Sequence, residues 1–186
     1  MMDYASISSN KFKKNLQIFD VREAISEIVE IMDDQARSMK NEVTVSYLNF
    51  ENPDDHSKNF VISTDRDRLQ RVLFNLYANA LKFTENGLVS ITCEKNYDPL
   101  QKRNRLEISV KDNGIGISRE DQGKLFKLFG TVANETNTSG IGLGLFISKQ
   151  IVNQYGGIID VVSNKGEGSQ FYFITTLELE NSQVVQ

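Results

Sequence analysis

The chain has one cysteine, one histidine and two prolines in 186 residues, and each scarcity removes a class of chemistry. A lone thiol, Cys93, excludes an internal disulfide framework and any multi-cysteine zinc site. A lone imidazole, His56, excludes any reaction that needs two histidines of this chain. Positive charge is not in excess either. With 21 Lys and Arg against 25 Asp and Glu, the net charge is −4 and the pI near 5.1, which argues against a surface made for nucleic acid or for an anionic membrane. No apolar run approaches the ~20 residues of a spanning helix, and Met1 to Leu16 has no apolar signal-peptide core. Internal repeats and low-complexity tracts are missing too. At 39% hydrophobic and 25% charged residues, the composition reads as a soluble, intracellular domain with a sizeable core.

What is present is periodicity. Residues 1–15 are polar and read as a linker or the frayed end of a preceding element. Asp20 followed by Glu23 has the form of a helix cap with a reciprocal acid, and Val21, Ile25, Ile28, Met32, Ala36 and Met39 then recur at helical spacing. Alternation predicts strands from Glu42 to Phe50, from Phe60 to Ile62, from Leu88 to Glu94 and from Leu106 to Lys111. A cap at Thr64-x-x-Asp67 opens a long helix predicted to reach about Phe83. Lys124 to Phe129 is expected to form a short helix, and Leu145 to Tyr155 a longer one. Ile158 to Val162 and Ser169 to Leu179 close the chain as a hairpin through Asn164-Lys-Gly-Glu-Gly168. Pro53 and Pro99 fall in polar turns. Interspersed strands and helices with a final hairpin point to a mixed sheet with helices on one face, an α/β sandwich.

On the long helix, Leu69, Val72, Leu73, Leu76, Ala80 and Phe83 cluster within about 60° of one direction, the core face. Asn75, Asn79, Lys82 and Asn86 fall on a separate stripe, with Arg68 beside them. Asparagine is a mediocre helix former, so two of them one turn apart call for a reason. A solvated face is the plain alternative. The functional one is that amide oxygens meet a hard cation already bound to phosphates, with the lysine facing phosphate charge.

Asp112-Asn-Gly-Ile-Gly-Ile117 follows a strand directly, and its glycines allow a tight turn and a close approach to a flat ligand. Gly140-Ile-Gly-Leu-Gly-Leu145 opens a helix whose free N–H groups suit phosphate oxygens. Neither stretch fits the dinucleotide fingerprint, no segment fits a P-loop, and the protein-kinase H-R-D and D-F-G set is missing. Each glycine stretch alone could be a plain loop. The order of the stretches is more telling.

That order resembles the catalytic, ATP-binding domain of sensor histidine kinases, within the ATPase superfamily shared with gyrase, MutL and the heat-shock chaperones. Arg71 to Thr84 is similar to the asparagine box, Asp112 to Ile117 to the first glycine box, Leu125 to Phe129 to the phenylalanine box, and Gly140 to Lys149 to the second glycine box. Gly156 to Ser163 with Gly166 to Phe171 resembles the closing hairpin, and Phe19-Asp-Val-Arg22 the first strand. The likeness implies an α/β (α+β) sandwich of Bergerat type: a mixed, mostly antiparallel sheet, three main helices on one face and a mobile lid. It also implies a division into 1–15 as the tail of a preceding helical-hairpin domain, 16–180 as the ATP-binding domain and 181–186 as a C-terminal tail.

By the same resemblance Asp112 accepts a hydrogen bond from the adenine amino group, with Gly114, Ile115, Gly116 and Ile117 beside the base and Ser169 near it through water. Asn79, assisted by Asn75, holds Mg²⁺; these two and Lys82, which faces the phosphates, form the catalytic set. Phe83 flanks the nucleoside and Lys127 lies at the nucleotide. Gly140, Ile141, Gly142, Leu143, Gly144 and Leu145 line the triphosphate. Two departures stand out. An acid is common in the family where this chain has Lys127. Arg71, one turn before Asn75, stands where the hydrolytic relatives carry a water-activating glutamate, and arginine stays protonated. The implied activity is transfer of the γ-phosphoryl group of ATP to a histidine on a helical phosphoacceptor domain of the same protein, in cis or across a homodimer. A response-regulator receiver then follows as partner, with no nucleic acid and no direct membrane contact, in a cytoplasmic domain. An ATPase clamp and a non-catalytic nucleotide sensor are the alternatives. His56, in a polar loop, is not the acceptor, and Cys93 reads as a small core residue. Ser118 to Ser139 is long for a loop, with anchors only at Leu125, Phe126, Leu128 and Phe129, and is expected to act as the lid.

Overall fold

The computed structural model describes residues 13–51, 58–128 and 143–177. Strand β1 (Gln17–Asp20) leads into helix α1 (Val21–Ile31) and a short helix α2 (Asp33–Ser38). Strands β2 (Glu42–Leu48) and β3 (Val61–Thr64) precede the long helix α3 (Arg66–Phe83). A hairpin of β4 (Leu88–Asp98) and β5 (Arg103–Asp112) follows, then the single turn α4 (Arg119–Gln122). Helix α5 (Gly144–Gln154) and the hairpin of β6 (Ile158–Asn164) and β7 (Gly168–Thr176) complete the fold.

The main sheet runs β2-β4-β5-β7-β6 and is antiparallel except for the β2–β4 pair. Register puts its apolar residues in rows. Ile91 pairs with Val110 and Val110 with Phe171, while Ile108 pairs with Phe173 and Phe173 with Ile159. These residues share one core with the buried sides of α1, α3 and α5, so three helices cover one face of the sheet, as expected. The other face carries hydroxyl pairs, Thr44 with Ser90 and Ser46 with Thr92. Strands β1 and β3 form a separate antiparallel pair beside α1. Cys93 is fully buried, and burial pushes its thiol pKa up, as befits a core residue.

Several local expectations shift. The first helix does not run through to Met39; it breaks at Met32 and restarts with Asp33 and Asp34 at the positive end of α2. Asp20 is the cap of α1, but its reciprocal partner is the Arg22 guanidinium, not Glu23. The cap of α3 is Asp65 and not Thr64. Thr64 is held in β3 opposite Gln17, which leaves the next side chain to accept from Arg68 N–H. The second strand therefore spans 61–64, two residues later at its end than expected. The helical turn sits at Arg119–Gln122, where Ser118 caps it by accepting from Asp121 N–H, while residues 124–128, the described part of the expected helix, form turns. Strands β4 and β5 run beyond the expected limits as a two-stranded arm with Pro99 in its turn, since its polar residues hide the alternation. His56, Pro53, residues 129–139 of the expected lid and residues 140–142 of the second glycine stretch lie outside the described residues.

Candidate functional site

Helix α3 supplies the axis of the site. Its core side, from Leu69 through Leu76 to Ala80, is buried, so the opposite stripe of Asn75, Asn79 and Lys82 is set by packing, and all three side chains are half-buried. Asn86 is not on that stripe. The helix stops at Phe83, and Asn86 adopts a left-handed φ of 51° with its N–H donated to Met39. Arg68 turns instead to the helix N-terminus, where it pairs with Asp65.

At the C-terminal end of α3, β5 delivers Asp112, which is 5% exposed. Its Oδ1 accepts from Gly114 N–H at 2.9 Å and from Ser169 N–H at 3.3 Å. Burial raises the Asp112 pKa above the usual carboxylate value, while those two N–H groups and the neighbouring Thr84 side chain act in the opposite direction. Thr84 Oγ1 lies close enough to affect the carboxyl but outside hydrogen-bond geometry, a buried hydroxyl with no partner among the described residues. The loop after Asp112 is tied to α3 by Ile115 N–H to the Phe83 carbonyl, and to the β6–β7 turn by Gly166 N–H to the Ile115 carbonyl. The glycines here are required by backbone contacts. A Cβ on Gly114 would stand 2.2 Å from the Phe83 carbonyl oxygen, and one on Gly116, at φ +63°, only 1.9 Å from that of Asn164. Ile115 is exposed and Ile117 packs on the core rim, its N–H bonded to Ser163 Oγ at 2.8 Å.

At mid-helix, Asn75 reaches across to the start of α5. Its amide nitrogen donates to the Gly144 carbonyl and to the Ser148 hydroxyl. The first turn of α5 has Leu143 as N-cap without a side-chain acceptor, so among the described residues no cap side chain satisfies its leading N–H groups, the kind of helix start that suits an anion. Lys82 Nζ lies 5.2 Å from the Phe83 ring centroid. Thus the fold gathers Asp112, Gly114, Ser169 and Phe83 in one cluster and Asn75 with Gly144 in another, and Asn79 and Lys82 occupy the helix face between them. Lys127 joins neither: it is exposed, and no hydrogen bond or ion pair links it to these groups among the described residues. Phe126 beside it is anchored edge-on to Phe171 with Lys149 over its ring, so the phenylalanine segment is fastened at Leu125 and Phe126. Gly140, Ile141 and Gly142 lie outside the described residues, while Leu143 and Leu145 border the core.

Sequence reasoning missed Thr84, Ser148, Ser163 and Gln122. Ser163 Oγ holds the Gly168 carbonyl and Ser169 Oγ, and Gln122 Nε2 fastens the Ile117 and Ser163 carbonyls. Hydroxyl and amide residues are too common to be read from one chain. Only their convergence marks them. Among the described residues no group of three His, Cys, Asp or Glu could hold a metal ion.

Residues 64–181 match the family described as histidine kinase-, DNA gyrase B- and HSP90-like ATPase. The signal transduction histidine-protein kinase BarA of Escherichia coli is 30% identical over 188 residues, which cover 100% of this chain and 20% of that protein. The chain thus spans about a fifth of the length of the curated relatives it matches. Among solved structures, the catalytic domain of the histidine kinase ThkA is 29% identical, with a TM-score of 0.69 over 87% of this chain and 95% of that one. ThkA has also been solved in complex with the response regulator TrrA. Full-length ShkA in complex with AMPPNP is 26% identical, with a TM-score of 0.75 over 95% of this chain and 34% of that one. With the ordered clusters on α3 and this match over most of its length, the chain belongs to the histidine kinase-, DNA gyrase B- and HSP90-like ATPase family, among the catalytic, ATP-binding domains of histidine kinases.

Proposed function

We propose that this chain binds Mg²⁺-ATP between its two clusters and presents the γ-phosphoryl group to a histidine on a separate helical phosphoacceptor domain of the same protein. The observation that carries this proposal is the bridging of both clusters by one helix face. Asp112, buried and ready to accept, lies beyond one end of α3, and Asn75, pinned to the phosphate-type helix start of α5, lies two turns earlier. Asp112 accepts from the adenine amino group, with Thr84 and Ser169 hydroxyls beside it. Gly114 to Ile117 forms the wall at the base and Phe83 flanks the nucleoside. The N–H groups of α5 from Gly144 onward meet phosphate oxygens, together with the preceding Gly140, Ile141 and Gly142.

Asn75 and Asn79 fit a hard cation, because each offers a neutral carbonyl oxygen without a donor on it among the described residues. Mg²⁺, when bound there, supplies charge neutralisation at the β- and γ-phosphates. Lys82 adds a compact positive charge on the same stripe. The imidazole nitrogen of the partner domain attacks the γ-phosphorus, the bond to the bridging oxygen breaks, and ADP leaves. Catalysis is positioning and charge stabilisation, without a base from this chain. Arg71 supports transfer over hydrolysis, since it cannot activate water at the place where hydrolytic relatives use a carboxylate.

Residues 1–15 are then the tail of the acceptor hairpin and 16–180 the nucleotide domain, followed by the 181–186 tail. A response-regulator receiver is the onward acceptor, a role supported by the ThkA–TrrA complex. No helix among the described residues is long and apolar enough to cross a membrane. Mixing the chain with a separately made acceptor hairpin and γ-labelled ATP tests the proposal: label is expected on the hairpin histidine, with little free phosphate. Steady phosphate release without labelling would overturn it in favour of an ATPase.

A further inference from the structure

The Asn75 side chain touches α5 at two points, and both engage its nitrogen. Nδ2 donates to the Gly144 carbonyl at 3.3 Å and to the Ser148 hydroxyl at 3.0 Å. A carbonyl can only accept, so the Gly144 contact identifies the nitrogen end of the amide, and the shorter Ser148 contact adds the second acceptor that holds it there. Gly144 and Ser148 stand four residues apart and share one face of α5. Ser148 is 0% exposed and so reaches neither solvent nor a ligand. A Cβ on Gly144 would stand 3.4 Å from Asn75 Oδ1, in ordinary van der Waals contact, so Gly144 lies directly against the amide. With both N–H groups engaged on α5, Oδ1 remains without a donor among the described residues.

An asparagine amide free to flip presents nitrogen or oxygen with similar ease, and the nitrogen face repels a cation. We propose that Ser148 is a positioning residue of the nucleotide site: its hydroxyl, with the Gly144 carbonyl, locks the Asn75 amide so that Oδ1 is left for Mg²⁺. It rests on the assignment of Asn75 as a metal ligand made above. It adds that the metal stripe of α3 and the phosphate end of α5 are one mechanical unit, since the group that orients the metal ligand belongs to the helix that meets the phosphates.

The test is the gain in ATP affinity on adding Mg²⁺, read by calorimetry on the 186-residue chain in EDTA and in Mg²⁺. Ser148→Ala is expected to reduce that gain about tenfold, the order seen when groups orienting a metal ligand are removed. Its affinity in EDTA should stay within about twofold of the wild-type value, because the adenine contacts are untouched. In an Asn75→Ala background, Ser148→Ala should have no further effect on the gain. Ser148→Cys, which keeps the volume with a weak acceptor, is measured beside it and carries the comparison if the alanine variant melts early. A full Mg²⁺ gain in Ser148→Ala, or an undiminished effect in the Asn75→Ala background, overturns the positioning role. A full gain in Asn75→Ala alone overturns instead the metal assignment beneath it.

Discussion

At the residue scale, Asp112 holds a charge that the fold alone does not favour. Burial raises its pKa against the opposing pull of the Gly114 and Ser169 N–H groups and the nearby Thr84. A pKa raised on folding means that Asp112 contributes stability fully below the ordinary carboxylate range and loses that contribution as pH rises through its folded value. Ionising this side chain is therefore a cost to the empty fold. Asp112→Asn keeps an oxygen to accept both N–H groups, so its unfolding midpoint is expected to equal or exceed that of the wild type. The same amide turns a donor toward the adenine amino group, itself a donor. ATP affinity should fall about 30-fold or more, in line with roughly 2 kcal/mol for a lost charge-assisted contact. Calorimetry and thermal unfolding on one sample decide it: loss of stability together with binding would make Asp112 a structural residue.

At the scale of elements, the N-terminal end of α3 is a junction. The buried Asp65 carboxylate caps the helix and also accepts from the Tyr155 hydroxyl at 2.6 Å, from the Asn15 N–H at 2.9 Å and from the Arg68 guanidinium. Arg68 reaches on to the Lys13 carbonyl, and Lys14 lies over the Tyr155 ring, so the incoming chain is fastened to α3 and to the end of α5 together. Burial would raise the Asp65 pKa, but the Tyr155, Asn15 and Arg68 contacts outweigh it and hold it below the usual value. A depressed pKa contributes stability above the unfolded carboxylate value, and the contribution disappears as pH falls through the folded one. Tyr155→Phe should cost about 1.5–3 kcal/mol at pH 7, a hydrogen bond to a charged group. That gap should narrow below about pH 4 as Asp65 protonates. Urea unfolding at a series of pH values measures both; a gap unchanged from pH 7 to 3 would remove Asp65 from the account.

At the scale of the whole molecule, the two clusters are joined among the described residues through α3 and its neighbours, so a ligand spanning them would tie α3, α5 and the β5 loop together. Saturation at a hundred times Kd adds about 2.7 kcal/mol by mass action. For a domain of this size that corresponds to a rise of roughly 5–10 °C in Tm. Scanning calorimetry should show the rise with Mg²⁺-ATP or Mg²⁺-ADP, little with GTP, whose O6 is an acceptor facing the Asp112 carboxylate, and at most about 3 °C in Asp112→Asn at the same nucleotide concentration, the remainder left by a roughly 30-fold weaker Kd. An equal rise with GTP would remove Asp112 from base recognition, and no rise with any nucleotide would remove the binding itself.

Much of this was legible along the chain because its signals are local. The 3.6-residue period of Leu69, Val72, Leu73 and Leu76 and the two-residue alternation of Val89, Ile91 and Cys93 report which side of each element is dry. The asparagine stripe and the glycine-rich loops follow from the same periods, and the order of these segments identifies the family. Tertiary structure decided the rest, because it depends on groups far apart in sequence. Asn75 meets Gly144 and Ser148 across 69 and 73 residues, and Ser169 meets Asp112 across 57. The cap passed from Thr64 to Asp65 because pairing with β1 held Thr64 in a strand, a preference that no window around residue 64 contains. Sequence determined which side chains could serve a nucleotide and its cation. Packing determined which atoms of those side chains remain available, because most buried donors and acceptors are first satisfied within the fold.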